Sequence, residues 1–183
     1  MLKAILSRKV INENSEYYSY ICDILSCGDV MKLQNHAHHI GTSRLQHSLN
    51  VSYYNFRLCK LLRLDARAAA RAGLLHDLFF YDRKTHERIQ NRHPAEHAKI
   101  ALYNASMRFS INELEGDMIL NHMWPMTLHL PRHAETFVIT FVDKFCASVE
   151  LTAYLCRLAG SKLKNAEKTV ALKLFGHRRH KAR

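Results

Sequence analysis

His76 and Asp77 stand side by side in GLLHDLFFYD, residues 73–82, with apolar residues on both sides. An ionised carboxylate taken out of water costs several kcal/mol unless a counter-charge meets it. Two arrangements answer that need. One is a His–Asp hydrogen bond at the edge of a core. The other is a metal ion, which takes both a neutral imidazole and a carboxylate. The chain has thirteen histidines in 183 residues, so further partners are at hand. His47 lies in SRLQHSLNV, His93 opens HPAEHAKIA, His122 ends ILNH, and Asp143 interrupts the apolar run FVITFVDKF. Taken singly, each has an ordinary reading as a core histidine, a capping group or half of a salt bridge. Taken together, four histidines and two aspartates in apolar helical stretches offer nitrogen and oxygen ligands to one or two divalent cations. His36, His38 and His39 in QNHAHHIG form a second cluster. It precedes the first strong helix and has no carboxylate nearby, so the expectation is loop histidines facing solvent, with metal binding the lesser reading.

The elements that must position these residues read as helices. Ser15 caps a first helix ending near Gly28. Val51, Tyr54, Leu58, Leu61 and Leu62 mark a stripe on a helix from about Arg44 to Leu64. Asp65 is the N-cap of the next helix, whose stripe is Ala68, Ala72, Leu75 and Phe79 and whose end carries the His-Asp pair. Pro94 suits a first helical position, with Ala98, Ala101, Leu102 and Ala105 following at helical spacing. Ser110–Glu113 reads as a capping box opening a short helix towards His122. Pro125 and Pro131 bracket a loop. Val138, Phe141, Phe145 and Val149 predict a long helix ending near Gly160, and Leu163, Ala166, Val170 and Leu174 a last one closed by Gly176. Few segments alternate with period two, so no sheet is expected and the fold class is all-α.

Hydrophobic residues make up 48% and charged residues 23%, ordinary for a single globular domain. No apolar run approaches the ~20 residues of a membrane span. The basic N-terminal stretch MLKAILSRKV has too short an apolar part for a signal peptide. Cys22, Cys27, Cys59, Cys146 and Cys156 form no C-x-x-C pair and are read as reduced thiols of a cytoplasmic protein. The formal charge of +11 is uneven: residues 157–183 hold nine Lys/Arg and one Glu, giving +8, and the rest of the chain carries +3. The tail GHRRHKAR is read as a solvated end, with nucleic acid or an acidic partner as the lesser reading.

The order His47, His76-Asp77, His93, His122, Asp143 resembles the HD-domain phosphohydrolase superfamily over roughly residues 43 to 150. The resemblance is carried by RLQHSLNV, LLHD, HPAEHAKIA, a histidine before a loop, and TFVDK. It implies a compact multi-helix bundle with a catalytic core at 43–160. Residues 1–42 would pack on that core as a helical segment, and 161–183 would form a C-terminal helix and basic tail. It implies that His47, His76, Asp77 and Asp143 hold one metal, and that His93 and His122 join a second, bridged by Asp77. The chain departs from the pattern in several places. His97 stands where many relatives have glycine, and LFFYD replaces the frequent Gly-Lys after the doublet. Only Asp82 represents the acidic pair of guanosine-polyphosphate hydrolases, and no Gly-Tyr-Pro motif follows.

The chemistry so implied is hydrolysis of a nucleotide or another small phosphorylated metabolite. Its cofactor is one or two transition-metal ions, with Mn, Fe, Co and Zn equally compatible. Arg44, one turn before His47, and Lys144, beside Asp143, are the expected phosphate contacts, with Arg83 and Lys84 behind them. Asp82 is a candidate base or water-positioning group. Two alternatives stay open: a di-iron oxygenase on the same six ligands, and a catalytically silent binding module with a basic tail. No membrane partner is expected, and a homo-oligomer is compatible with the chain.

Overall fold

The computed structural model describes residues 15–39, 42–81 and 93–176. Asp82, Arg83, Lys84, the N-terminal stretch and the last seven residues of the tail lie outside them, as do the side chains of His39, His93 and residues 161–176. Seven α-helices make up the described part: α1 Ser15–Leu25, α2 Gly28–Lys32, α3 Arg44–Leu62, α4 Ala66–Leu75, α5 His93–Ser106, α6 Glu113–Asn121 and α7 Ala134–Gly176. The all-α expectation holds, with one addition. A small antiparallel hairpin, β1 Ala37–His39 and β2 Thr42–Ser43, lies just before α3. Strands of three and two residues are too short for alternation to show in a sequence.

The helices start and stop for local reasons. Ser43 caps α3 by accepting the Gln46 amide at 3.2 Å. Asp65 caps α4 by accepting the Ala68 amide at 2.9 Å, as expected. Helix α3 ends on Arg63 in the left-handed region, φ 59°, and the Leu64 amide reaches back to the Cys59 carbonyl at 2.9 Å. This is a Schellman-type closure at a position where glycine is usual. The capping box of α6 is two residues later than the sequence suggests. Asn112 Oδ1 accepts the Glu115 amide at 2.7 Å and Glu115 Oε2 accepts the Asn112 amide at 3.1 Å, while Ser110 is exposed. The two predicted C-terminal helices are one, running through Gly160 without a break. Its buried face is Val138, Ile139, Val142 and Cys146, whereas Phe141 and Phe145 of the predicted stripe are exposed.

The closest packing is between α3 and α4. Ala68, Ala69, Ala70, Ala72 and Gly73 are all buried, and small side chains let the backbones approach. A methyl group at Gly73 would stand 2.6 Å from the Ser52 Cα and 2.9 Å from its amide nitrogen. Polar side chains bridge the seam. Ser52 Oγ donates to the Ala70 carbonyl at 2.6 Å and accepts from the Tyr17 hydroxyl at 2.8 Å, and Asn55 Nδ2 donates to the Ala69 carbonyl at 3.0 Å. Tyr17, Ile21 and Ile24 of α1 enter the same core as Leu45, Leu49, Leu74, Leu75, Met118 and Ile139. Arg71 ties three helices together: its Nε donates to Glu115 of α6 at 2.9 Å, and its Nη1 donates to the Asp23 carboxylate of α1 at 2.8 and 2.9 Å.

Candidate metal centre

Helix α4 stops at Leu75, and the His-Asp pair forms the turn that follows rather than a last helical turn. His76 keeps helical dihedrals as the C-cap, and its Nδ1 lies 2.9 Å from the Gly73 carbonyl. A carbonyl can only accept, so Nδ1 carries the hydrogen and the Nε2 lone pair points inward. His122, just past α6, is fixed in the same way by the Ile119 carbonyl at 2.8 Å. Both rings are buried, and a main-chain carbonyl holding the far nitrogen is the usual support of a metal-ligating histidine.

Helices α3 and α7 bring in the rest. His47 Nε2 lies 2.9 Å from Asp143 Oδ1 and its Nδ1 lies 3.1 Å from Glu150 Oε2. Asn50 steadies Glu150 through Nδ2 at 2.8 Å. His97, on the buried face of α5 with Ala101 and Ala105, places Nε2 3.0 Å from His122 Nε2 and 3.5 Å from Asp77 Oδ1. From the hairpin, His38 Nδ1 lies 3.1 Å from Asp77 Oδ2, and its ring stacks on His47 with centroids 3.6 Å apart.

Three groups of donor atoms each converge within 4.8 Å: His47, His76 and Asp143; His76, Asp77 and His122; His38, His47 and Asp77. These buried groups can hold a metal ion. Two observations fit one. His76 Nε2 has no hydrogen-bond partner among the described residues, and it stands 3.7 Å from Asp143 Oδ1 and 4.0 Å from Asp77 Oδ2. Those separations are long for hydrogen bonds. They suit ligands flanking one cation, since two donors ~2.1 Å from an ion stand roughly 3–4 Å apart.

The electrostatics run the same way. Burial pushes the Asp77 carboxyl up, but the His76, His38 and His97 imidazoles outweigh it and hold Asp77 well below the usual carboxylate range. Burial likewise raises Asp143, and His47 and His76 carry it well below that range. Burial pulls the His47 imidazole down, but Asp143 and Glu150 raise it to about 10. His76 is lowered by burial and raised overall by Asp77 and Asp143. His122 is pushed down to about 3 by burial and by His76 and His97, so it is a neutral donor at all ordinary pH.

Of the expected residues, the structure brings His47, His76, Asp77, His122 and Asp143 together. His93 is the first residue of α5, and its side chain lies outside the described residues, as does Asp82. Arg44 and Lys144 are placed otherwise than expected. Arg44 is buried, donates to the Phe79 and Tyr81 carbonyls at 2.6 and 3.3 Å, and lies over the Phe79 ring. Lys144 points to the carbonyls of Trp124 and Thr140 at 3.1 and 3.3 Å. Arg44 thus holds the main chain just after the His-Asp turn and Lys144 reaches the loop that follows His122, while Thr140 is a residue of α7 itself. Glu150 is the residue that sequence reasoning missed; His38 is expected in solvent, with metal binding the lesser reading, and His97 figures there only as a departure from the family pattern. His97 falls four and eight residues before Ala101 and Ala105, and Glu150 falls seven after Asp143, so helical periodicity could have found both. His38 had no helical periodicity, and its only signal was the His36, His38, His39 cluster. Among the described residues no helix is long and apolar enough to cross a membrane. Comparison with family models, curated proteins and solved structures finds no match.

Proposed function

We propose that this protein is a metal-dependent phosphohydrolase of the HD type, acting on a nucleotide or another small phosphorylated metabolite. The observation that carries the reading is the convergence of His47, His76, Asp77 and Asp143 from three separate parts of the bundle, with His122 and His97 on the far side of Asp77. In this reading the first four hold one cation. Asp77, His122 and His97 are the donors for a second, with His97 one helical turn beyond the expected His93. A bound divalent cation of this kind supplies a hydroxide-like water near neutral pH and offsets charge on phosphoryl oxygens.

The chain's own residues do the positioning. The Gly73 and Ile119 carbonyls fix the tautomers of His76 and His122, so each ring presents Nε2. Glu150 fixes His47 from the opposite edge. The carboxylates stay ionised because the imidazoles surround them, which keeps oxygen donors available over the whole neutral range. Arg44 and Lys144 are committed to main-chain carbonyls, so substrate charge is answered at the metal centre rather than by these two cations.

The test is metal content of untagged protein, followed by phosphate release from a panel of nucleotides and sugar phosphates after loading with manganese, cobalt, zinc or iron. Asp77→Asn should lose metal and phosphate release together. Oxygen consumption by the iron-loaded protein without phosphate release would move the assignment to an oxygenase. A protein that takes up no metal would refute both.

A further inference from the structure

We infer that His38, carried on the β1–β2 hairpin, is a direct ligand of the metal centre in addition to the helical residues; this rests on the metal-binding part of the reading above. The hairpin is anchored where it needs to be. The Arg44 amide donates to the His36 carbonyl at 2.8 Å, so the strand is fixed to the first turn of α3, one turn from His47. Its His38 side chain is only 5% exposed. The ring lies nearly parallel to that of His47, 12° between planes, so two imidazole edges face the same space. In that space is Asp77 Oδ2, which is buried, accepts no well-aligned hydrogen bond among the described residues, and stands 3.1 Å from His38 Nδ1. Donor atoms of His38, His47 and Asp77 fall within 4.8 Å of one another, as the ligands of one cation do.

The consequence is chemical. With His38, the donors are five imidazoles, His38, His47, His76, His97 and His122, against two carboxylates, Asp77 and Asp143. A nitrogen-rich set favours iron(II), cobalt(II), nickel(II) or zinc(II) over magnesium, calcium or manganese, which suit oxygen-rich sites.

The experiment uses full-length protein stripped by a chelator and titrated with cobalt(II) or zinc(II). In His38→Gln, cobalt affinity should fall more than about 100-fold, beyond the usual effect of losing an outer-shell hydrogen bond. The cobalt absorption bands should also move. In the unmutated protein, zinc(II) should shift one His38 ring nitrogen to a coordinated position in long-range proton–nitrogen spectra, a readout that does not need the variant to fold. Unchanged cobalt bands in His38→Gln and an unmoved His38 nitrogen overturn the inference, whether or not affinity falls; a fall alone would make His38 a support for Asp77. If His47→Ala then loses the metal, the metal centre itself stands. Absence of any binding by the unmutated protein overturns the inference and the metal centre together.

Discussion

Gly73→Ala tests the link between helix packing and the metal centre. The added methyl would meet Ser52 Cα at 2.6 Å, an overlap of about 0.8 Å against ordinary contact beginning at 3.4 Å. The obstacle is main chain in the middle of α3, so no rotamer change relieves it. The helices must move apart, and a gap of 0.5–1 Å already forfeits a quarter to a half of each dispersion contact along the seam. Overpacking of this kind costs about 1–3 kcal/mol. Replacing glycine by alanine inside a helix returns about 1 kcal/mol. The difference is about 0–2 kcal/mol, and because the obstacle is main chain that cannot yield, the upper part applies: a loss of about 1–2 kcal/mol, which for a chain of this size lowers the melting temperature by roughly 2–8 °C. The same displacement separates His47 on α3 from His76 at the end of α4, whose Nδ1 is held by the Gly73 carbonyl itself. Cobalt affinity should therefore fall along with the melting temperature. Thermal unfolding followed by circular dichroism, paired with a cobalt titration, reads both. A melting temperature that is unchanged or raised, as for a glycine on an open helix face, would refute the close approach and its role in setting the site.

Other residues give sharper single readings. Asp77→Ala should abolish metal uptake while leaving the far-ultraviolet helical signal largely intact; full retention of metal would remove Asp77 from the ligand set. Arg71→Ala leaves the buried Glu115 carboxylate without its partner and should cost about 3–5 kcal/mol in urea unfolding. Arg63→Gly should stabilise the protein by about 0.5–1 kcal/mol, because a left-handed φ of 59° strains any residue with a Cβ; no rise in the unfolding midpoint would contradict that geometry. The pH dependence has a definite sign. His47 is raised from an ordinary 6.5 to about 10, so its contribution to stability is complete below pH 6.5 and is lost as pH rises through about 10. A metal must displace that proton, so affinity should increase with pH across this window and binding at pH 7.5 should release at least one proton, measured by calorimetry in buffers of different ionisation heat. Binding without proton release would refute the assignment of His47 as a ligand.

What could be read from the sequence, and what could not, follows from how far each signal extends along the chain. Asp65 as a cap and the existence of α3 were legible because they depend on residues within one or two turns, but the stripe read on α3 was not its buried face: Leu61 and Leu62 are exposed, whereas Leu45, Leu49, Val51, Phe56 and Cys59 are buried. The α6 cap was misplaced by two residues because Ser110 and Asn112 both suit the first position. Only the reciprocal bonds between Asn112 and Glu115 choose between them. The break expected at Gly160 failed for a related reason. One glycine costs a helix only about 1 kcal/mol, which 43 residues of continuous hydrogen bonding easily outweigh. The candidate metal centre divides in the same way. His47, His76, Asp77, His122 and Asp143 could be picked out because each sits as a polar intruder in an apolar helical context. Arg44 and Lys144 could not be assigned, since a cation next to a ligand reads the same whether it faces a substrate or a loop carbonyl. His38 is the extreme case. Its strand is three residues long, and the carboxylate that it meets lies 39 positions away at Asp77. Only the fold of the hairpin onto α3 joins them, and that return of the chain brings a histidine expected in solvent within 3.1 Å of a buried carboxylate.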